Sequence, residues 1–118
     1  MRHKGMNTLQ SIVHPVRSLD AAKAVHAALL GIEPHTDDSY YVGFNVGGVE
    51  IGLDPKGHEK GLKAPVPYIR VADLDTALTE VLGAGATIFG GPQDVGGGTR
   101  IATVTDADGN VLGLIQSS

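Results

Sequence analysis

Val16-Arg-Ser-Leu-Asp-Ala-Ala22 (VRSLDAA) returns 55 positions later as Val71-Ala-Asp-Leu-Asp-Thr-Ala77 (VADLDTA), with Val, Leu, Asp and Ala at the same offsets. In each copy a side-chain oxygen, that of Ser18 or Asp73, precedes an apolar run at helical spacing, which marks a helix N-terminus. The first run places Leu19, Ala22, Val25, Leu29 and Leu30 on the packing side and stops at Gly31. The second places Leu74, Ala77, Leu78, Val81 and Leu82 there, runs through Ala84 and stops at Gly85. A β-rich segment stands before each helix, 9–17 before the first and 66–71 before the second, and Pro15 confines the first to an edge or an interrupted ladder.

The segments after the helices also correspond. Residues 32–43 hold a short strand and an acidic turn at Asp37 and Asp38, and 40–46 with 49–53 form a hairpin across Gly47-Gly48. In the second copy Thr87 and Ile88 begin a strand, GGPQDVGGG (90–98) reads as a mobile loop, and 100–105 with 111–116 form a hairpin around Asp108-Gly109. The polar stretch DPKGHEKGLKAP (54–65) links the copies. The order is βαβββ twice, with a period too long for most solenoids, so the pattern describes duplication inside one domain. The domain is expected over 9–118, with a first module at about 9–54, a second at about 65–116, and a disordered tail over 1–8.

Composition narrows the function classes. A chain of 118 residues suits one domain, and without cysteine it needs neither disulfide nor thiolate metal staples. Nine Lys and Arg against 13 Asp and Glu give a net charge of -4 with no basic block, which argues against nucleic acid as partner. No apolar run approaches the roughly 20 residues of a membrane span, and MRHKGMNTLQ lacks the apolar segment of a signal peptide. A cytoplasmic protein with no membrane partner is expected. Three Tyr, two Phe and no Trp leave the core to Val, Ile, Leu and Ala.

VRSLDAAKAVHAALLGIEP, VADLDTALTEVLGAGA and DADGNVLGLIQ, taken with the strands between them, resemble the vicinal oxygen chelate superfamily, which comprises the glyoxalase, bleomycin-resistance and extradiol dioxygenase folds. The resemblance covers nearly the whole chain from Leu9. It implies an α+β fold in which two βαβββ modules form a curled mixed sheet around a cleft with the helices outside, and often a homodimer. Enzymes of the superfamily hold a divalent metal through four side chains, mostly His and Glu, two on the first strands of the modules and two on the last. Carried over from the V-x-x-L-D landmarks, those positions fall on Ser11, Val66, Gly52 and Gly113. None supplies an imidazole or a carboxylate, so the expectation is no metal and no cofactor. A displaced register would bring His14 or Glu50 into consideration, one imidazole and one carboxylate, too few to enclose a metal.

The candidate ligand-binding residues follow from alternation. Glu50, Gly52 and Asp54 share one face, Val66, Tyr68 and Arg70 share the corresponding face of their strand, and Arg100 with Ala102 and Val104 continues it. An acid, arginines and a tyrosine around small residues suit a polar or aromatic small molecule. The competing reading is a structural Glu50–Arg70 ion pair beside a Tyr68 that only packs. His14 faces the helix side, His26 packs on the first helix, His35 and His58 lie solvated in loops, and His3 belongs to the tail. The Gly-rich 90–100 stretch lacks dinucleotide-binding spacing, GHEKG lacks a second histidine, and no serine stands in a nucleophile elbow. These features point to a metal-free binder of a small molecule. The alternative is a lyase, isomerase or dioxygenase of the same superfamily with an atypical ligand set, such as Glu50 and His14, and a third reading is an interaction module with no ligand.

Overall fold

A computed structural model describes residues 7–117. The chain forms two compact units, one spanning Ser11–Val66 and the other running from Pro67 onward together with the chain up to Gln10. Of the expected tail, 1–6 lie outside the described residues, and Thr8 already belongs to a strand.

The first module runs β1 (Thr8–Pro15), α1 (Leu19–Leu30), β2 (Thr36–Asp38), β3 (Tyr41–Val46) and β4 (Val49–Asp54). Its strands lie in the order β2-β3-β4-β1, with β1 parallel to β4 and the other pairs antiparallel. Ser18 caps α1 by accepting from the Ala21 N–H at 3.2 Å. Gly31 ends it in the left-handed region at φ 71°, where an L side chain would be strained. The β3–β4 hairpin turns on Gly47 and Gly48, both at positive φ, as the twist of a two-residue connection requires.

Val42, Phe44 and Leu53 are the buried centre of this module, packed by Val16, Leu19, Ala22, Ala27 and Leu30. The helix face therefore differs from the expected one. Val25 and Leu29 are 64% and 78% exposed, and His26 takes the intervening position, its ring stacked on Phe44 at 6.3 Å between centroids. Leu19, Ala22, His26 and Leu30 follow the helical period with an imidazole in the apolar row, and that inclusion turns Val25 and Leu29 outward.

The second module runs β5 (Val66–Arg70), α2 (Leu74–Gly83), β6 (Thr87–Asp94), β7 (Arg100–Thr105) and β8 (Val111–Gln116), in the order β5-β8-β7-β6. Asp73 caps α2 through the Thr76 N–H, and the Leu74 N–H donates to Gln116 Oε1 at 2.6 Å. Leu74 and Leu78 bury against Ala102, Val104 and Leu114, with Ala77 and Val81 alongside. The secondary structure is thus α+β, two βαβββ modules with one helix against a face of each strand set.

Two local expectations change. Asp37 and Asp38 are paired with Val42 and Tyr41 in β2, and the turn falls on Ser39 and Tyr40. Most of GGPQDVGGG is strand: β6 continues to Asp94 with register shifts between Ile88 and Gly90 and between Gly90 and Gln93. At the edge of its sheet β6 tolerates Pro92, which has no ladder donor to give, and the glycines absorb the bulges.

Candidate functional site

On β3 and β4 alternate residues divide between two faces. Val42, Phe44 and Leu53 go to the core under α1, and Tyr41, Gly43, Glu50 and Gly52 go to the other side. Register places Gly43 directly across from Gly52, so two residues without side chains lie next to each other, both buried. Tyr41, two residues before Gly43, is diagonal to Gly52 and near enough for a long side chain to cover it. It does so: a Cβ added at Gly52 would overlap the Tyr41 hydroxyl and lie 2.8 Å from Cζ. A Cβ at Gly43 would press on Tyr41 Cε2, His35 Nε2 and the Glu50 carboxyl carbon at 3.1, 3.2 and 3.3 Å. The glycine pair is a floor cleared for these three side chains.

Glu50 is the centre of the group. The Tyr41 hydroxyl donates to its Oε2, and His35 Nε2 lies 2.8 Å from its Oε1. Thr36 Oγ1 lies 2.9 Å from the other ring nitrogen, Nδ1. A carboxylate only accepts, so Nε2 carries the proton, and in the neutral ring Nδ1 takes the Thr36 hydroxyl hydrogen. Burial, then the hydrogen bond to Glu50, then the negative charges of Glu50 and Asp54 push the Tyr41 phenol well above its ordinary value of 10.0, so it stays a neutral donor. The Glu50 and His35 side chains remain 31% and 45% exposed.

The second module repeats the covered glycine with a different donor strand. Tyr68 on β5 pairs directly with Gly113 on β8, and a Cβ at Gly113 would run into the Tyr68 ring, 2.8 Å from Cγ. Arg70, on the same side, gives two hydrogen bonds from Nε and Nη2 to Gln10 Oε1 at 2.9 and 2.6 Å. Thr103 is the other strand partner of Gly113.

The expected site residues thus separate. Glu50 has polar partners on the anticipated face. Asp54 is tied into the following turn, with Oδ2 2.9 Å from Lys60 Nζ and Oδ1 accepting from the Lys56 N–H at 2.8 Å. Arg100 does not share the Tyr68 face: Ala102 and Val104, of its own parity, are core residues, and its guanidinium reaches Asp75 on α2 at 3.3 Å. The expected face was inverted for β7. Glu50 is held by Tyr41 and His35 within the first module, and Arg70 by Gln10. His14 stands on the helix side with its ring 5.1 Å from that of His26, and His58 is half-buried in a short 3-10 turn at His58–Lys60 rather than solvated.

His35 and Tyr41 escaped the sequence reading. The signal for Tyr41 was present: numbering the hairpin outward from Gly47-Gly48 sets Gly43 against Gly52 and Tyr41 beside them. His35 lies outside that hairpin and enters only through β2, which pairs Thr36 with Gly43.

The divalent metal that the resemblance implies does not fit these residues. Two of its four positions are glycines whose side-chain space tyrosine rings fill, and a third, Val66, is 1% exposed and carries no donor. His14 lies with His26 on the helix side, opposite the face that carries Glu50. Among the described residues no three His, Cys, Asp or Glu side chains converge on one point.

No family model and no curated protein matches the sequence. Solved structures do. A chain described as the NAD-dependent benzaldehyde dehydrogenase from Legionella pneumophila superposes with a TM-score of 0.74 at 15% identity, covering 95% of this chain and 99% of that one. A methylmalonyl-CoA epimerase in complex with methylmalonyl-CoA and NH4+ gives 0.69 at 15% identity, with 95% of each chain covered. The methylmalonyl-CoA epimerase from Mycobacterium tuberculosis gives 0.63 at 18%, covering 94% of this chain and 88% of that one. At such identities the likeness is one of fold, and the fold is the one the sequence resembles, that of the vicinal oxygen chelate proteins.

Proposed function

We propose that this chain of vicinal oxygen chelate fold binds a small organic molecule without a catalytic metal, against the side of the first module that carries Glu50. The observation behind the reading is the Glu50 carboxylate, fixed in place by Tyr41 and His35 above a floor of two glycines yet still a third exposed. A carboxylate oriented by two donors binds with little loss of side-chain freedom. Asp54 is an auxiliary charge beside Glu50; on the second module, taken by itself, Tyr68 and Arg70 stay proposed ligand contacts, and Arg100, committed to Asp75, leaves the set. The methylmalonyl-CoA epimerase structures with bound acyl-CoA compounds support small-molecule binding as the use of this fold. A homodimer and a cytoplasmic location belong to the same proposal.

The test takes protein purified without chelator. Elemental analysis and calorimetric titration with Mn2+, Ni2+ and Zn2+ are expected to find no stoichiometric ion, and an ion bound at Glu50 and His35 would overturn the metal-free reading in favour of a metal-dependent lyase, isomerase or dioxygenase. Mass spectrometry of the native protein and of its organic extract is expected to find a bound small molecule that Glu50→Ala releases. A ligand unaffected by that change sinks the site assignment. Light scattering reads the dimer.

A further inference from the structure

We infer that the Glu50 site selects a small organic cation bearing N–H donors, a primary ammonium or an amidinium group. This rests on the small-molecule reading above and names its ligand class. The reason is an inventory of hydrogen-bonding capacity. Tyr41 has one hydroxyl hydrogen and gives it to Glu50; His35 in the derived tautomer has one ring N–H and gives it to Glu50; the Thr36 hydroxyl hydrogen goes to His35 Nδ1. Every side-chain donor in the cluster is therefore engaged inside it.

The acceptors are not exhausted. A carboxylate offers about four lone-pair sites and two are used, and the Tyr41 oxygen, donating its hydrogen, keeps acceptor capacity of its own. The phenol is held protonated and adds no charge of its own, and the Glu50 carboxylate, which faces these acceptors, is largely withdrawn from water. Among the described residues no Lys or Arg is within ion-pair distance of Glu50, whose ion-pair partner is His35; Lys23, Lys56 and Lys60 go to Asp37, Glu59 and Asp54. What complements a rigid set of vacant acceptors with one negative charge is a positive group with several hydrogens, and charge-assisted bonds of that type are roughly twice as strong as neutral ones. An anionic head group would meet a like charge and find no donor.

Three probes with one ring and different head groups decide it: benzylamine, benzyl alcohol and benzoate, titrated at neutral pH into the full chain and followed by calorimetry and by 15N-edited NMR. Benzylamine is expected to bind with shifts concentrated between residues 35 and 52, benzyl alcohol more weakly, and benzoate not at all. Glu50→Gln should weaken benzylamine at least tenfold, whereas Asp20→Asn, the same change of net charge on α1, should leave its Kd unchanged. Tyr41→Phe keeps the carboxylate and its charge but removes one of the two donors that orient it, so benzylamine should bind a few-fold more weakly, well short of the loss in Glu50→Gln. Benzoate binding equal to benzylamine, Kd unchanged in Glu50→Gln, or a loss in Tyr41→Phe as large as in Glu50→Gln each overturns the cation inference. Each leaves the small-molecule reading to its own mass-spectrometric test. Benzylamine that shifts no resonance between 35 and 52 also overturns the inference, whatever molecule copurifies.

Discussion

In the first module the ring over the last-strand glycine comes from β3, the antiparallel neighbour, and reaches it diagonally; in the second it comes from β5, the parallel neighbour, and lies in direct register. The diagonal approach extends Tyr41 along the sheet, so that its hydroxyl ends beyond Gly52 at Glu50. Two residues before Gly113 the second module has Val111 in place of a glutamate, and from Val66 onward it has no histidine. One topology thus supports two kinds of surface: a polar cluster where the tyrosine tip is the contact, and a packed ring where the tyrosine base is.

The largest effects should fall on the two cores. Phe44→Ala in the first module and Leu74→Ala in the second each remove a fully buried side chain and should cost roughly 3–5 and 2–5 kcal/mol in urea unfolding. If one variant leaves the denaturation midpoint unchanged, that module does not unfold with the measured transition.

The glycines sharpen the contrast. Gly113→Ala presses on the root of the Tyr68 ring, including Cγ, and demands a new rotamer, so a loss of about 3 kcal/mol is expected. Gly52→Ala meets only the far end of Tyr41, which can swing aside, so about 1–2 kcal/mol is expected. Truncating the tyrosine in the same chain, as Gly113→Ala with Tyr68→Ala, should recover part of the loss. Equal costs at the two glycines would break the distinction between tip and base.

The helix caps supply a matched comparison of smaller size. Ser18→Ala and Asp73→Ala each remove one side-chain acceptor from a first-turn N–H and should cost about 1 kcal/mol apiece.

Acid response should distinguish the modules without any large change at neutral pH. Burial first and the nearby His26 second lower the His14 pKa below its ordinary 6.5. The unfolded chain therefore takes up that proton before the folded one, and stability falls as pH drops from about neutral toward the folded-state value, below which the slope ends. His14→Phe should flatten this part of the profile, measured as urea midpoint against pH; an unchanged slope would remove His14 as its source. At the alkaline end, absorbance titration is clean in a chain without Trp. Tyr41→Phe should delete the phenol that ionises far above 10.0, and Glu50→Gln should lower that step without restoring the ordinary value, because burial is its first cause.

The duplicated fold was readable in VRSLDAA and VADLDTA because caps, helical spacing and stops are local properties, and both caps form as spacing suggests. Side assignment was harder. On β7 the rows Arg100-Ala102-Val104 and Ile101-Thr103-Thr105 are about equally apolar, so alternation names two faces without saying which one the helix covers. In α1 an imidazole in the buried row displaced the apparent face by one residue, since a histidine counts as polar until its packing on Phe44 is known. Glu50 was legible because its strand alternates strongly, and His35 was not, because its partner lies 15 residues away.

Tyr41 over Gly52 has a consequence for the routes a sequence can take. A side chain at 52 collides while Tyr41 is present, and loss of Tyr41 alone strips Glu50 of a donor and leaves bare backbone beneath it. Each exchange is unfavourable by itself, so a path from this arrangement to a carboxylate at 52 passes through a less stable intermediate whichever change comes first. The tyrosine and the glycine hold each other in place as a ratchet.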